Sequence, residues 1–336
     1  MKKNMKRYLF VAILFLILLV LPFCLPESIV YLLGLMFLFI LYVVSWDIVA
    51  GYTGQINLGH TVFIGIGGYT TALLQNSWRF TNFMDFLASL PPLPIWLTIL
   101  LGGVNALITG LIVGIICLRL RGYYLALVTA VLPLICIQLV NIYSPVFGGY
   151  EGFSIGFGKS LAQRVIFRYY FSMTVCVVSL LALYFILKSK IGVKFKAIRE
   201  DEELAESVGM NVVKYKLLAF CISAFFAGIA GAVAVHYRLT VGTDLFDIPL
   251  MLMIILSAII GGLGSFHGVI LGSVIIYLLK NWIIKNALGL MRLEFPDEII
   301  LYFLLIILIL KAPRGIIAKL SELTRTEVSR VLFKKE

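Results

Sequence analysis

Long apolar runs separated by short polar segments dominate this sequence, and they constrain its fold more than any single motif does. A helix needs about 20 predominantly apolar residues to cross a bilayer. In this chain 61% of the residues are hydrophobic, only 13% are charged, and the mean hydropathy is +1.05. These values exclude an ordinary soluble domain. The sequence therefore predicts an all-α polytopic membrane protein with about ten transmembrane helices, of which the eighth and tenth are short enough to be half-helices. The predicted spans are residues 8–23, 29–49, 56–74, 93–118, 123–141, 169–187, 217–236, 248–260, 267–282 and 299–310.

Basic residues are distributed unevenly between alternate loops, and this asymmetry predicts the orientation. Twenty of the 28 Lys and Arg residues fall on the side that holds both termini, and eight fall on the other side. Cytoplasmic loops usually carry this excess, so we expect both termini to be cytoplasmic. The start MKKNMKR resembles a secretory signal, but no small-x-small cleavage site follows it, and we expect a retained helix. The net charge of +11 does not indicate nucleic-acid binding, because nothing interleaves basic and aromatic residues on a polar surface.

Residues 188–216 form the only long hydrophilic segment between apolar runs, and we call this segment the insert. Residues 196–206 are good helix formers, Gly209 supplies a helix stop, and Asn211 supplies a cap for the next helix. Two interpretations stay open from the residues alone: a short amphipathic helix that meets a partner protein at the membrane surface, or an ordinary solvated loop. The apolar residues at close to helical spacing are Ala197, Ile198, Leu204, Ala205 and Val208.

A glycine-rich stretch with polar side chains opens the third span. Glycine permits close approach between neighbouring helices, or an interrupted helix that lines a cavity. Polar groups at membrane depth should face protein or water. Interhelical hydrogen bonding and a substrate path both stay open as interpretations. The candidate path residues here are Gln55, Asn57, His60, Gly65 and Tyr69.

A second glycine cluster after the eighth span contains Gly261, Gly262 and Gly264, which are also candidate path residues. Gly51 and Gly54 share the three-residue spacing of Gly261 and Gly264. This echo favours two pseudo-repeated halves around the insert, with some helices broken or Gly-rich. Transporters built from repeats place the permeation path at the interface between them.

No catalytic or metal-binding motif in the sequence has the residue spacing that its chemistry requires. GFGKS at residues 156–160 is no phosphate loop, because Phe153 stands where the motif needs glycine. The five cysteines form no Cys-x-x-Cys pair. The three histidines lie on different spans without ligand spacing, so each is expected to serve as hydrogen-bonded structure. We expect no enzyme activity and no metal in this chain.

Several sequence blocks are similar to one known family. They are GYTGQINLGH at residues 51–60, RGYYLALVT at 121–129, and a central block that begins with FKAIRED at 195–201 and ends with FFAGIAG at 225–231. GGLGS at 261–265 matches the closing motif of the same family. Residues 40–311 thus resemble the inner-membrane permeases of branched-chain amino acid ABC importers.

The resemblance implies a permease subunit of a bacterial-type inner membrane that forms half of a translocation path and works by alternating access. Its expected partners are a second homologous permease, two cytoplasmic ABC ATPases carrying ATP and Mg, and an extracytoplasmic solute-binding protein. One membrane domain then covers residues 1–336, with six spans in 1–187, a cytoplasmic coupling segment in 188–216, four spans in 217–311 and a cytoplasmic tail in 312–336. The resemblance assigns ATPase coupling to Arg199, Glu200, Asp201, Glu202, Ala205, Glu206, Gly209 and Met210.

Two departures from the family pattern leave the substrate open. Residues after Thr129 read AVLPLI where such permeases usually show a Gly-Glu pair, and FGG at 147–149 replaces a common Thr-Gly-Gly. The alternatives are therefore a permease for urea or short amides, or a stand-alone secondary transporter. Against the latter, the spans lack the buried charges that carry coupling ions, with Asp47 as the main exception. A membrane-embedded enzyme such as an acyltransferase would need a convergent catalytic cluster that the sequence does not show.

Overall fold

The structure is a computed structural model that describes residues 16–81, 89, 91, 93–117, 123–156, 164–284, 299–300, 302–303 and 306–307. The predicted cytoplasmic tail and half of the tenth span lie outside these residues, as does the start of the first span. Residues 16–24 are helical.

Eight of the predicted spans coincide with helices in the described part of the chain. The helix α1 (Glu27–Asp47) continues as a π-helix over Ile48–Tyr52, and the helix α11 (Phe266–Leu278) continues in the same way over Leu279–Ile284. The further helices are α2 (His60–Gln75), α3 (Ile95–Cys117), α4 (Tyr123–Ile142), α5 (Ser144–Phe147), α6 (Val165–Lys188), α7 (Lys190–Glu200), α8 (Glu202–Ser207), α9 (Val212–Arg238) and α10 (Ile248–Gly261). Short 3-10 turns cover Ser77–Phe80, Gly149–Glu151 and Thr243–Phe246.

Five of these helices are long and apolar enough to cross a membrane: α1 with its π-helix, α3, α4, α6 and α9. The helices α10 and α11 are apolar but shorter, and α2 has 16 residues. A mostly helical chain with five such spans is a polytopic membrane protein, as the sequence predicts. The total of ten spans and the two pseudo-repeated halves stay predictions.

The helix α9 is the centre of the bundle, because small residues along it let α2 and α3 approach its backbone. A Cβ at Gly228 would meet the Cβ of Ala106 on α3, and one at Gly231 would meet the carbonyl oxygen of Ile64 on α2. Gly67 of α2 in turn faces the backbone of Gly228. Helices in lipid associate through close packing of this kind, since apolar burial gives little drive there. The α9 sequence AFFAGIAGAVA is therefore an interior helix, which its nearly complete burial shows.

Connections at one end of the bundle form a small two-stranded sheet, and we call this end the hairpin face. Strand β1 (Phe153–Ser154) pairs antiparallel with β2 (Thr240–Val241), with Phe153 opposite Val241. Arg79 lies at the same end: its Nε donates to the carbonyl oxygen of Val146 in α5 at 2.7 Å, and its guanidinium lies over the Phe153 ring of β1. The opposite end carries α7 and α8, and we call it the insert face. Loops that the charge pattern assigns to one side of the membrane thus meet at one end of the bundle.

Candidate coupling site at the insert face

The insert folds into two short helices, so the prediction of a single helix over residues 196–206 is wrong. Asp201 interrupts it with an extended backbone (φ −157°, ψ 113°) and caps α8 by accepting a hydrogen bond from the Leu204 backbone N–H at 2.9 Å. An Asp followed by helix formers is a common N-cap signal, and it overrides the propensity of the flanking residues. The predicted stop is confirmed by the left-handed φ of +83° at Gly209. The predicted cap is confirmed by Asn211, which accepts from the Lys214 N–H at 3.0 Å.

The predicted apolar stripe does not lie on one face, because the break at Asp201 divides it. Ile198 and Ala205 are buried and form a small cluster with Val212 at the start of α9. Leu204 and Val208 point outward, with 62% and 68% of their surfaces exposed. The inner side of the insert therefore holds α7 and α8 against α9, while apolar side chains are exposed on the outer side.

Acidic residues of the insert divide in the same way. Glu202 forms an ion pair with Lys216 of α9, with 2.6 Å between Oε2 and Nζ. Glu200 and Glu206 are exposed. The carboxylate of Glu202 thus holds α8 onto the bundle, whereas Glu206 faces outward. Two further predicted coupling residues follow α8: Gly209 is exposed, and Met210 is half-buried against the inner cluster.

Arg199 joins the insert to both glycine clusters. Its guanidinium Nη1 donates to the carbonyl oxygens of Gly51, at the end of α1, and Leu263, after α10; the second contact measures 3.3 Å. The buried carboxylate of Asp47 accepts from the backbone N–H of Gly264 at 2.9 Å. These five residues, Asp47, Gly51, Arg199, Leu263 and Gly264, are the glycine junction. The two clusters that echo each other in sequence therefore meet in space beneath the insert.

Both glycines of the junction are required by geometry. A Cβ at Gly51 would collide with the Asp47 carboxylate and the Gly264 backbone nitrogen. Gly264 has a left-handed φ of +75°, and a Cβ there would meet the Arg199 guanidinium and the Gly51 carbonyl oxygen. Glycine adopts this backbone conformation without steric cost, so the close contact between Gly51 and Gly264 requires glycine on both sides.

A groove of about 440 Å³ opens beside the junction and brings residues of both predicted sets together. Arg199, Glu200, Asp201 and Glu202 of the insert line one wall, and the 53–56 segment lines another. Gln55 belongs to this second wall and is 6% exposed. Its side-chain amide makes no hydrogen bond to any described residue. Buried amides in proteins are usually hydrogen-bonded. The Gln55 amide therefore leaves a donor and an acceptor in the groove without a described partner.

Two further candidate path residues are engaged in internal hydrogen bonds. The His60 Nε2 lies 3.1 Å from the Ser45 hydroxyl, which is also in hydrogen-bond contact with the Tyr42 carbonyl oxygen. The side-chain Oδ1 of Asn57 accepts a hydrogen bond from the Gly59 N–H at 2.8 Å. The backbone carbonyl oxygen of Asn57 accepts one from the Trp46 Nε1–H. Both residues tie α2 to α1, which agrees with the interhelical interpretation.

Gly65 and Tyr69 lie higher in α2, toward the hairpin face. A Cβ at Gly65 would collide with the Phe246 ring, and the Tyr69 ring stacks on the same phenyl group with 5.6 Å between centroids. Gly261 packs on the Gly268 backbone, and Gly262 turns the chain with a φ of +88°. The candidate path residues therefore occupy separate levels of the bundle, and a path along them stays a prediction.

The structural role of Asp47 could not be predicted from the sequence. Its signal was an isolated carboxylate inside an apolar run, which is rare enough in membrane spans to indicate a function. The role became visible only through Gly264, which lies 217 residues further along the chain. No group of three potential metal ligands occurs among the described residues.

Comparisons with known proteins identify the family to which the sequence is similar. The family described as "Branched-chain amino acid transport system / permease component" matches residues 28–310. The high-affinity branched-chain amino acid transport system permease protein LivM of Escherichia coli is 28% identical over 83% of this chain and 69% of its own length. LivM of Salmonella typhimurium is 29% identical over the same shares. No solved structure matches the chain.

A more distant relative has a different permease name. The probable branched-chain amino acid transport permease protein LivH of Methanocaldococcus jannaschii is 30% identical over 43% of this chain and 46% of its own length. Members of the matched family are transport components rather than enzymes. Since the family match extends from the start of α1 into the last predicted span, this chain belongs to the permease-component family of branched-chain amino acid transport systems.

Proposed function

We propose that this chain is the membrane permease subunit of an ATP-driven importer, and that it forms half of the translocation path for branched-chain or related amino acids. It would work with a second permease, two cytoplasmic ABC ATPases that bind ATP and Mg, and an extracytoplasmic solute-binding protein. The insert face is then cytoplasmic, as are both termini, and the hairpin face receives the solute-binding protein in a bacterial-type inner membrane.

The observation that carries this proposal is the hydrogen bonding of Arg199 to both glycine clusters. Arg199 sits on α7, whose exposed side is open to a partner, while its guanidinium holds the ends of α1 and α10. A partner that displaces the insert therefore moves two spans together. Alternating access needs a rigid element of this kind, whose position is biased between two states.

The outward side of the insert supplies the docking surface. Leu204 and Val208 offer apolar area, and Glu206 offers a carboxylate beside them in α8. Exposed apolar side chains next to charges are typical of protein interfaces. Glu202 is not part of this surface in our proposal, because its carboxylate is paired with Lys216.

The decisive experiment is reconstitution of the chain with its partner subunits, followed by uptake of labelled leucine into proteoliposomes. We expect uptake to require ATP and the solute-binding protein. Uptake by the single chain under an ion gradient, without ATPases, would instead establish a secondary transporter. Competition by unlabelled isoleucine and valine, compared with urea and acetamide, identifies the substrate class. The absence of leucine uptake, together with the absence of competition by any amino acid, would contradict the proposal.

Docking is tested by charge reversal at Glu206. Glu206→Lys should reduce co-purification of the ATPase subunits with the permease, since the carboxylate is exposed on the proposed surface. Glu27→Lys is the matched control, because Glu27 is an exposed acid in the first turn of α1, at the hairpin-face end. Equal recovery of the ATPases with both variants would refute docking through α8.

A further inference from the structure

A second cavity, of about 360 Å³, lies between α1, α9, α10 and α11 in the half of the bundle nearer the hairpin face. Arg238 lines the cavity and shows its position along the bundle, because it is the last residue of α9 and lies just before β2. Apolar side chains form most of its wall, among them Leu35, Phe39 and Met253. Apolar cavities of this size with a few polar groups are the usual form of small-molecule sites.

One polar group in this cavity has no partner in the part of the chain that the structure describes. Tyr42 lines the cavity and is 4% exposed, and its buried hydroxyl makes no hydrogen bond to a described residue. A buried phenol without a partner is unfavourable, and its O–H can donate to an anionic oxygen. A bound ligand with such an oxygen would satisfy it.

The charged side chains among the described lining residues are both cations. Arg238 and Lys280 line it, and no carboxylate occurs among the described lining residues. Arg238 also forms an ion pair with Asp244, which stands outside the lining. A guanidinium has five N–H donors, so the pair leaves donors for a second anion. Apolar walls, two cations and a phenol together select a ligand with an anionic head and an apolar tail.

We infer that this cavity is a binding site for a small amphiphile with a carboxylate or phosphate head, recognised by Tyr42, Arg238 and Lys280. Two sources share this chemistry: the carboxylate end of an aliphatic amino acid in transit, and the head of an anionic lipid. The first source rests on the proposed function, whereas the second does not.

Three compounds that differ only in the head group test the inference. The full chain in phosphatidylcholine nanodiscs is titrated with leucine, with 4-methylpentanoate, which lacks the amino group, and with 3-methylbutylamine, which lacks the carboxylate. Binding is measured by calorimetry and by the shift in thermal unfolding. The acid should bind and the amine should not. Phosphatidylglycerol added to the nanodiscs should compete with the acid if the site also accepts lipid, and binding of phosphatidylglycerol alone would assign the site to lipid.

Matched variants connect the binding to these residues. Tyr42→Phe should weaken binding of the acid about tenfold, because it removes a hydrogen bond to a charged group. Tyr31→Phe, also on α1 but outside the cavity lining, should leave affinity unchanged. Arg238→Gln should weaken binding, whereas Asp244→Asn should strengthen it a few-fold by removing the competing carboxylate. A purely structural ion pair predicts that both of these variants weaken binding.

Several results would overturn the inference. They are equal binding of amine and acid, no binding of any compound or of phosphatidylglycerol, and equal effects of the two tyrosine variants. Leucine uptake by the assembled complex, measured on the same preparations, keeps the two proposals separate. Normal uptake without binding to the cavity refutes the site alone, and binding without any amino acid uptake refutes the proposed function alone.

Discussion

Arg199→Gln should uncouple ATP hydrolysis from transport while leaving the complex assembled. The substitution removes the guanidinium that bonds to the carbonyl oxygens of Gly51 and Leu263. Glutamine is shorter and cannot reproduce both contacts. The junction would keep the bond between Asp47 and the Gly264 N–H, so the two glycine clusters stay together but lose their link to the insert.

The magnitude follows from the two hydrogen bonds. Bonds from a charged donor contribute about 1.5–3 kcal/mol when buried, and about 1 kcal/mol is appropriate here because the Arg199 side chain is exposed. Two such bonds give about 2 kcal/mol, or roughly a 30-fold change in an equilibrium constant. If this equilibrium couples the insert to α1 and α10, the number of leucine molecules transported per ATP should fall by up to about 30-fold.

The assay measures ATP hydrolysis and leucine uptake on the same proteoliposomes. Lys190→Gln is the matched control, since it removes an exposed cation at the other end of α7. We expect the control to retain the wild-type ratio and Arg199→Lys to be intermediate, because lysine keeps the charge without the fork geometry. A ratio within twofold of wild type for Arg199→Gln, with the complex intact, would refute transmission through the glycine junction.

Three further outcomes are expected. Gly264→Ala should destabilise the detergent-purified chain by at least about 1–2 kcal/mol, because its φ of +75° is costly for a residue with a Cβ; an unchanged unfolding temperature would contradict the junction geometry. Leu204→Ser together with Val208→Ser should leave that temperature unchanged, since both side chains are exposed, but should reduce ATPase co-purification; full recovery of the ATPases would contradict apolar docking. Burial and the nearby Asp244 raise the pKa of Asp247. Because the folded state then binds the proton more tightly, stability should decrease as pH rises from the ordinary carboxyl pKa to the raised one, and Asp247→Asn should remove this decrease in pH-dependent unfolding curves.

Features set by local chemistry could be predicted from the sequence. The apolar runs predicted the positions of the helices, because the length and composition of a run decide whether it can cross a bilayer. Gly209 and Asn211 were identified correctly since a stop or a cap depends only on the adjacent backbone. Asp201 carried the same kind of local signal, and reading it as an N-cap would have divided the insert correctly.

Relations between distant parts of the chain were decided only by tertiary structure. The three-residue spacing shared by Gly51–Gly54 and Gly261–Gly264 gave a weak echo. The contact between Gly51 and Gly264, and the hydrogen bonds of Arg199 to both clusters, depend on how α1, α7 and α10 pack. The same packing paired Glu202 with Lys216 and left Glu206 outside. A sequence gives each side chain its chemistry and its local backbone preference. Its partner is fixed only when helices far apart in the chain are brought together, and in this bundle that depends on small residues spread over several helices.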